Sequence, residues 1–416
     1  MEKYFRIVTG LFLIILSESG FTQDTLNPGK ILTFQELVAA IDQNPSLLAF
    51  DEKMKSYEAY SQSAKSLDPP KITSGFWMYP YSQRQNGGSL MIGAEQMIMN
   101  PSKRKAEQKY MAGMSSVEQT MKDFEKQDML AEAKKIYYEW IVLEKKKRTL
   151  KESEEILNLM IRSAEIGYTY NQNLLSRVYK AKSELYTIQN MQIMVENEIK
   201  QMNVELNILM NINKELAYKI DTAYRIANYD LLPIDTTALK ANRSDIKNID
   251  ESIRLFNLQS DFILSKRKPD FGVQYAHMQG MNGMQNQFNL MGMVTIPIAP
   301  WSAKGYKASL KGIQYESSYL NLKKEAIINE TIGRLQKLKA EIGSKKRQVE
   351  MYEKNIIPAL EKNFNASLIS FEHMKEDMFM TIDAWVTLKM AKLEYLNLLG
   401  ELLKLQADYE RQIEKK

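Results

Sequence analysis

The segment His277-Met278-Gln279-Gly280-Met281-Asn282-Gly283-Met284 places one imidazole and three thioethers within eight residues, and Met291 and Met293 follow closely. Thioether sulfur and imidazole nitrogen are soft donors that suit Cu(I) and, by analogy, Ag(I). The same segment also reads as a flexible turn between strands. Met is a common core filler, and many of the chain's 25 methionines fall in helical runs. Little other chemistry is on offer. Cysteine is absent, which removes disulfides, Cys-ligated zinc, iron–sulfur clusters, a catalytic thiol and a lipidated cysteine. Only His277 and His373 could serve as histidine ligands or bases. There is no phosphate-cradling Gly-Lys-Ser/Thr loop, no His-Glu-x-x-His and no Gly-x-Ser-x-Gly. Asp245 and Asp250 are five apart, too far round a helix to pair. The expectation is a protein that is not an enzyme and needs no cofactor.

The net charge of +5 is spread over 56 basic and 51 acidic residues and does not point to nucleic acid. The basic run Lys145-Lys146-Lys147-Arg148 reads as a solvated face of a long helix. At the N-terminus, Lys3 and Arg6 precede the apolar run from Ile7 to Leu16, and the small and polar stretch Ser17-Glu18-Ser19-Gly20 follows. That is the layout of a secretory signal, expected over residues 1–23. The apolar run is too short to span a bilayer, and no run of 18 or more apolar residues occurs elsewhere.

The elements that must position these residues come in two rounds. Pro70 and Pro269, Gly93 and Gly292, and Pro101 and Pro300 each stand 199 residues apart (for example, 70 to 269). Between the landmarks the order is the same: a helical run ending at Pro, two strand-like runs, then a Pro opening a long helical run. The first repeat is expected over residues 24–230, with strands within 71–99 and helices over 45–69, 101–166 and 173–212. The second is expected over 231–416, with strands within 270–298 and helices over 240–268, 302–371 and 377–414. Pro358 predicts a kink inside the second of these. Few turn-formers, 18 Gly and 11 Pro, favour long helices. Ile136, Trp140, Leu143, Leu150, Leu157, Ile161 and Ala164 follow alternating four–three spacing, with Lys147 and Glu154 in the gaps. This is a coiled-coil seam.

The strand-like runs are about ten residues each, the length of a tilted β-strand crossing a membrane. Phe271, Val273 and Tyr275 alternate with Gly272, Gln274 and Ala276, and Phe288, Leu290, Val294 and Ile296 alternate with Asn289, Met291, Met293 and Thr295. Trp77, Tyr79 and Tyr81 could form an aromatic girdle. Two hairpins cannot close a barrel, and open edges are not tolerated in lipid, so a membrane-crossing reading demands an oligomer. The fold class is mainly α with a small β part: internally duplicated, with long coiled helices and two β-hairpins per chain.

The order of these parts resembles the TolC-like outer-membrane efflux proteins over nearly the whole chain beyond the signal. The resemblance is carried by Leu32-Thr33-Phe34-Gln35-Glu36-Leu37 with Asn44-Pro45, by Arg243-Ser244-Asp245-Ile246 (Ser where the family has Pro), and by Thr295-Ile296-Pro297-Ile298. Ile166-Gly167-Tyr168 through Leu175, and Phe371 through Ile382-Asp383-Ala384, are similar to the family's two periplasmic tips. The resemblance implies a homotrimer in outer-membrane lipid, with a twelve-stranded barrel on an α-helical periplasmic tunnel. It implies a passive export duct fed by a periplasmic adaptor (membrane-fusion) protein and an inner-membrane pump of the RND type. Some members export copper and silver, so heavy-metal cargo is one expectation. A type I secretion duct and an exported coiled-coil scaffold without channel activity are the alternatives. Gly167, Tyr168 and Phe371 are the implied adaptor-contact tips. Of the family's two gate acids one falls on Asp383; the other falls on Met380, and Glu372, Glu376 and Asp377 nearby could rebuild the acidic ring. In the competing reading Asp383 pairs with Lys180 or Lys389 on the bundle surface. His277, Met278, Met281 and Met284 remain the candidate metal ligands.

Overall fold

The computed structural model describes residues 31–78, 87–169, 175–281, 283–297, 300–373, 375 and 377–414. The expected signal over residues 1–23 lies outside them. Element bounds begin with β1 (Ile31–Leu32), α1 (Phe34–Ile41) and α2 (Pro45–Ser63). The first hairpin follows, β2 (Lys71–Trp77) and β3 (Ser89–Ile98), then the long helices α3 (Pro101–Thr169) and α4 (Leu175–Leu209). After β4 (Lys219–Ile220) come α5 (Thr236–Asn242), α6 (Ser244–Ser265), β5 (Asp270–Gly280) and β6 (Gln287–Thr295). The chain ends with α7 (Pro300–Met351), α8 (Ile357–Glu372) and α9 (Met378–Ile413).

At 69 residues α3 is a rod of about 100 Å. Isolated, it would have no reason to persist; its stability comes from an apolar seam laid on neighbours. All seven seam residues from Ile136 to Ala164 are buried. The two gap positions do not break the seam. Lys147 reaches Glu196 on α4 at 3.0 Å, and Glu154 accepts from Gln189 and Gln192 of α4 at 3.2 and 2.8 Å. Beyond α4, helix α3 also lies against α2, α6 and α9. In the basic run, Lys145 sits over the Tyr224 ring and Arg148 pairs with Glu152, so the run is spent on this chain's own helices and surface.

One core joins α3, α4, α8 and α9 toward the helix tips, through Leu157, Ile188, Phe364 and Trp385. A second seals β1, β4 and α1 onto the middle of α3, around Trp140 and Ile141. There the Tyr137 hydroxyl donates to the Leu32 and Asp221 carbonyls, and burial, with the Asp221 carboxylate near, pushes this phenol up to about 12. A third core packs Leu239 and Tyr229 against α7 and α9.

The helix expected over 240–268 is two helices. Arg243 is extended (ψ 127) between α5 and α6, because its guanidinium is buried against Asp245 and the Gln412 carbonyl at the end of α9. Asn44 does the matching job before α2, donating to the Leu209 carbonyl at the end of α4 at 2.8 Å. At the expected kink the helix loosens into one π-turn, Tyr352–Ile356, just before Pro358. Proline cannot donate to the preceding turn, and a π-turn is one way to absorb the mismatch.

The four long strands form one antiparallel sheet in the order β2-β3-β5-β6. Its register corrects one landmark. Thr73 and Gly272 share a face, as an offset of 199 requires, but Gly93 and Gly292 do not. Gly93 pairs with Ala276 on one face, and Gly292 pairs with Val273 on the other. A slip of one residue reverses the face of every side chain in a strand, so the two halves differ by one residue between strand and helix. The corner is pinned by Asn100, which caps α3 by accepting from the Ser102 amide, while Asp270 accepts from the Asn100 amide at 2.9 Å and from Lys103 at 2.6 Å.

Trp140 is 2% exposed and bridges α3 to the middle core. Trp140→Ala is expected to cost about 3–5 kcal/mol, whereas Arg148→Ala should stay within about 0.5 kcal/mol. Denaturant unfolding followed by helix ellipticity measures both, and comparable effects would contradict the core assignment.

Candidate functional site

Two regions carry the residues singled out above. At the helix tips, α3 ends at Thr169, and α4 starts at Leu175 beside the start of α9. Gly167 is buried and Phe371 is half-buried against the tip core, so both shape the tip from inside. Tyr168 is half exposed. Glu372 is the exposed last residue of α8. Glu376 lies outside the described residues.

Asp377 is the N-cap of α9. Its carboxylate accepts from the Phe379 amide at 2.8 Å and from Arg177 Nη2 of α4 at 2.6 Å. This acid is therefore tied into the tip by a cap and an ion pair that joins the two helical hairpins. Asp383 behaves differently. It stands between buried Ile382 and Ala384 and points away from the core into solvent. Among the described residues its carboxylate forms no ion pair. The pairing with Lys180 or Lys389 is not what the fold makes. Lys180 goes to Glu184 at 3.0 Å; Lys389 is 3% exposed, lies over the Trp385 ring and faces the same Glu184 at 3.5 Å. Arg177 and Glu184 were not legible as tip residues, because Arg177 pairs with Asp377, and Glu184 with Lys389, across two helices. The nearest signal was Arg177's place directly after the expected tip turn.

The second region is the sheet. One face carries Ile92, Phe271, Val273, Tyr275, Phe288, Leu290 and Val294, all about half exposed or more. Its other face carries Gly93, Glu95, Gln274, Ala276 and Asn289, of which Gly93 and Ala276 are buried. Tyr79 and Tyr81 lie outside the described residues, while Trp77 is half exposed.

The four metal candidates do not converge. His277 and Met278 are neighbours on β5 and so point to opposite faces. His277 shares the apolar face with Ile92 and Phe288; Met278 lies on the other face opposite Met91. In the loop, the Met281 amide donates to the Gly88 carbonyl, and the Met284 sulfur accepts from the Gly88 amide at 3.0 Å. A β-carbon at Gly280 would overlap the Met284 carbonyl, which explains glycine at this tight turn. Met281 and Met284 thus hold one hairpin to the other. Among the described residues no three His, Cys, Asp or Glu side chains gather to hold a metal ion, and no helix is long and apolar enough to cross a membrane.

No family model matches the chain, and no curated protein matches it. Solved structures do. CusC, described for its conformational changes accompanying folding and transmembrane channel formation, is 12% identical with a TM-score of 0.72 over 91% of each chain. The outer-membrane channel OprN gives 12% and 0.70, over 91% of this chain and 89% of that one. The outer membrane protein VceC of Vibrio cholerae gives 12% and 0.69, over 91% and 95%. At this identity the likeness is one of fold.

The double duty of Asp377 is testable. Asp377→Ala removes both the cap and the Arg177 partner, while Asp377→Asn keeps an acceptor for the Phe379 amide. Loss of such a cap costs about 0.5–2 kcal/mol, so amide exchange in the first turn of α9 should quicken roughly tenfold in the alanine variant and little in the asparagine variant. Equal exchange in all three proteins would remove the cap from the account.

Proposed function

We propose that this chain, which has the fold of the outer-membrane channels CusC, OprN and VceC, is itself the outer-membrane duct of a tripartite efflux system. One observation carries the reading: a four-stranded antiparallel sheet with an apolar, exposed face, convex in a closed barrel, and two open edges, β2 and β6, is joined by tight corners to helices of great length. Open edges present unpaired backbone groups, and in a bilayer each unsatisfied group costs several kcal/mol. Pairing β6 of one copy with β2 of the next satisfies both edges. Three copies close the ring at twelve strands, and the long helices continue it as a tunnel through the periplasm. A soluble scaffold would gain nothing from an exposed face of Phe, Tyr, Val and Leu.

Transport through such a duct is passive. Cargo moves down a water-filled path once the helix tips dilate, and the energy comes from an inner-membrane pump, of the RND type in this reading, through a periplasmic adaptor. Tyr168 is the tip side chain best placed to meet the adaptor, with Gly167 and Phe371 setting the tip shape behind it. Asp383, solvent-facing and unpaired, is the gate acid in this reading. Three copies around one axis repel one another and draw cations to the mouth. Glu372 adds charge nearby, whereas Asp377 is occupied by Arg177 and the α9 cap. Cu(I) and Ag(I) are the proposed cargo, supported by the methionine content of the sheet.

The purified protein should extract only with detergent, run as a trimer and form discrete channels in planar bilayers; a water-soluble monomer would overturn the reading. Val273→Arg places a charge on the convex face at a cost of about 2–4 kcal/mol near the bilayer midplane and should deplete assembled trimer, while Gln274→Arg on the other face should be mild. Asp383→Asn should lower cation selectivity and weaken block by multivalent cations added on the tip side. Unchanged selectivity would move the gate elsewhere.

A further inference from the structure

Strand register gathers five methionines, Met91, Met97, Met278, Met291 and Met293, onto one face of the sheet, the one opposite the exposed apolar side chains. They form rows. Met91 stands opposite Met278; Met97, Gly272 and Met293 make one row across β3, β5 and β6; Met291 is in the adjacent row with Gln274 and Glu95. Gly272 is where two thioethers meet. A β-carbon there would overlap the Met97 sulfur and come within 3.1 Å of the Met293 methyl carbon, so both side chains fold over the same bare backbone. Met278 is buried beside Ala276, but filling an apolar core does not account for Met97, Met291 and Met293. Neighbours on this face include Lys71, Glu95, Gln274, Gln287, Asn289 and Thr295, and Met291 is well exposed.

We infer that the Met97–Met293 pair over Gly272 is a binding site for a soft monovalent cation, Cu(I) or Ag(I), on the inner wall of the barrel, with Met291 as a third donor one row away. Two neutral sulfur donors suit a d10 monovalent ion that accepts few ligands; borderline and hard divalent ions prefer imidazole, carboxylate or water. The Glu95 carboxylate, in the same row as Met291, faces Lys71 Nζ at 3.9 Å, so the donor set is left to the thioethers. Neutral thioethers bind weakly enough to release, and repeated weak sites are what conduction requires. Met91 and Met278, about 20 Å along the strands at 3.3–3.4 Å per residue, form a second stop. The site's meaning as a cargo station rests on the duct reading; the binding itself does not.

The test uses the full-length chain in detergent, titrated with Cu(I) under ascorbate in competition with a coloured Cu(I) chelator, and with Zn(II) as comparison. Wild type should take up Cu(I) and not Zn(II), with sulfur neighbours in its X-ray absorption spectrum. Met97→Leu with Met293→Leu keeps side-chain volume and should lose one equivalent per chain; Met281→Leu with Met284→Leu should lose none. Met293→Leu alone, on the edge strand where packing is loosest, should reproduce the loss if the double variant fails to assemble. No Cu(I) uptake by wild type, unchanged uptake by the Met97 and Met293 variants, or loss only in the loop variant would each overturn the assignment. Bilayer conductance of the same samples separates the two readings. Channels without Cu(I) binding defeat this site and leave the duct; Cu(I) binding without channels defeats the duct and leaves the site.

Discussion

The seam of α3 is the constraint on which everything else hangs. A helix of 69 residues cannot be held by its own backbone hydrogen bonds in water, so its apolar stripe must be covered along its length. Neighbouring helices and the small β1–β4 unit divide that work between the tip core and the middle core, and α9 covers Val142. Because α3 starts at the sheet corner and ends at the tip, its register sets how far apart those two regions lie. The gap residues Lys147 and Glu154 show how firmly the register is chosen, since each reaches a polar partner on α4 and neither splits the seam.

The two ends of the rod are built differently. At the sheet, one exposed face is apolar and the other carries polar side chains and methionines. At the tip, the usual order returns: Ile382 and Trp385 are inside and Asp383 is in water. The two regions communicate through stiff helices, and the π-turn ahead of Pro358 is the one place among the described residues where that stiffness is relieved.

Three acids at the tip, Asp377, Glu184 and Asp383, take three different roles. Asp377 satisfies the orphan amides at the start of α9 and ties α4 to it through Arg177. Glu184 neutralises the buried Lys389, which would otherwise be an uncompensated charge in the tip core. Asp383 is exposed and, among the described residues, forms no ion pair.

The helical character, the seam from Ile136 to Ala164, the two strand pairs and their alternation near Phe271 to Tyr275 were all legible in the residues, because each rests on periodicity along one element. The acidic tip and the methionine richness were legible as compositions. Which methionines meet was not: His277 and Met278 are adjacent in the chain yet face opposite sides, while Met97 and Met293 are distant in the chain and share one glycine. The landmark pair Gly93 and Gly292 failed for the same reason, a single residue of slip that spacing cannot reveal. Likewise the partners of Asp377 and Lys389 come from other helices. Local periodicity is written in one stretch of chain, so the sequence alone determined the elements and their apolar faces. Strand register and helix-to-helix pairing join stretches far apart, and only the tertiary structure decides which side chains end up within bonding distance.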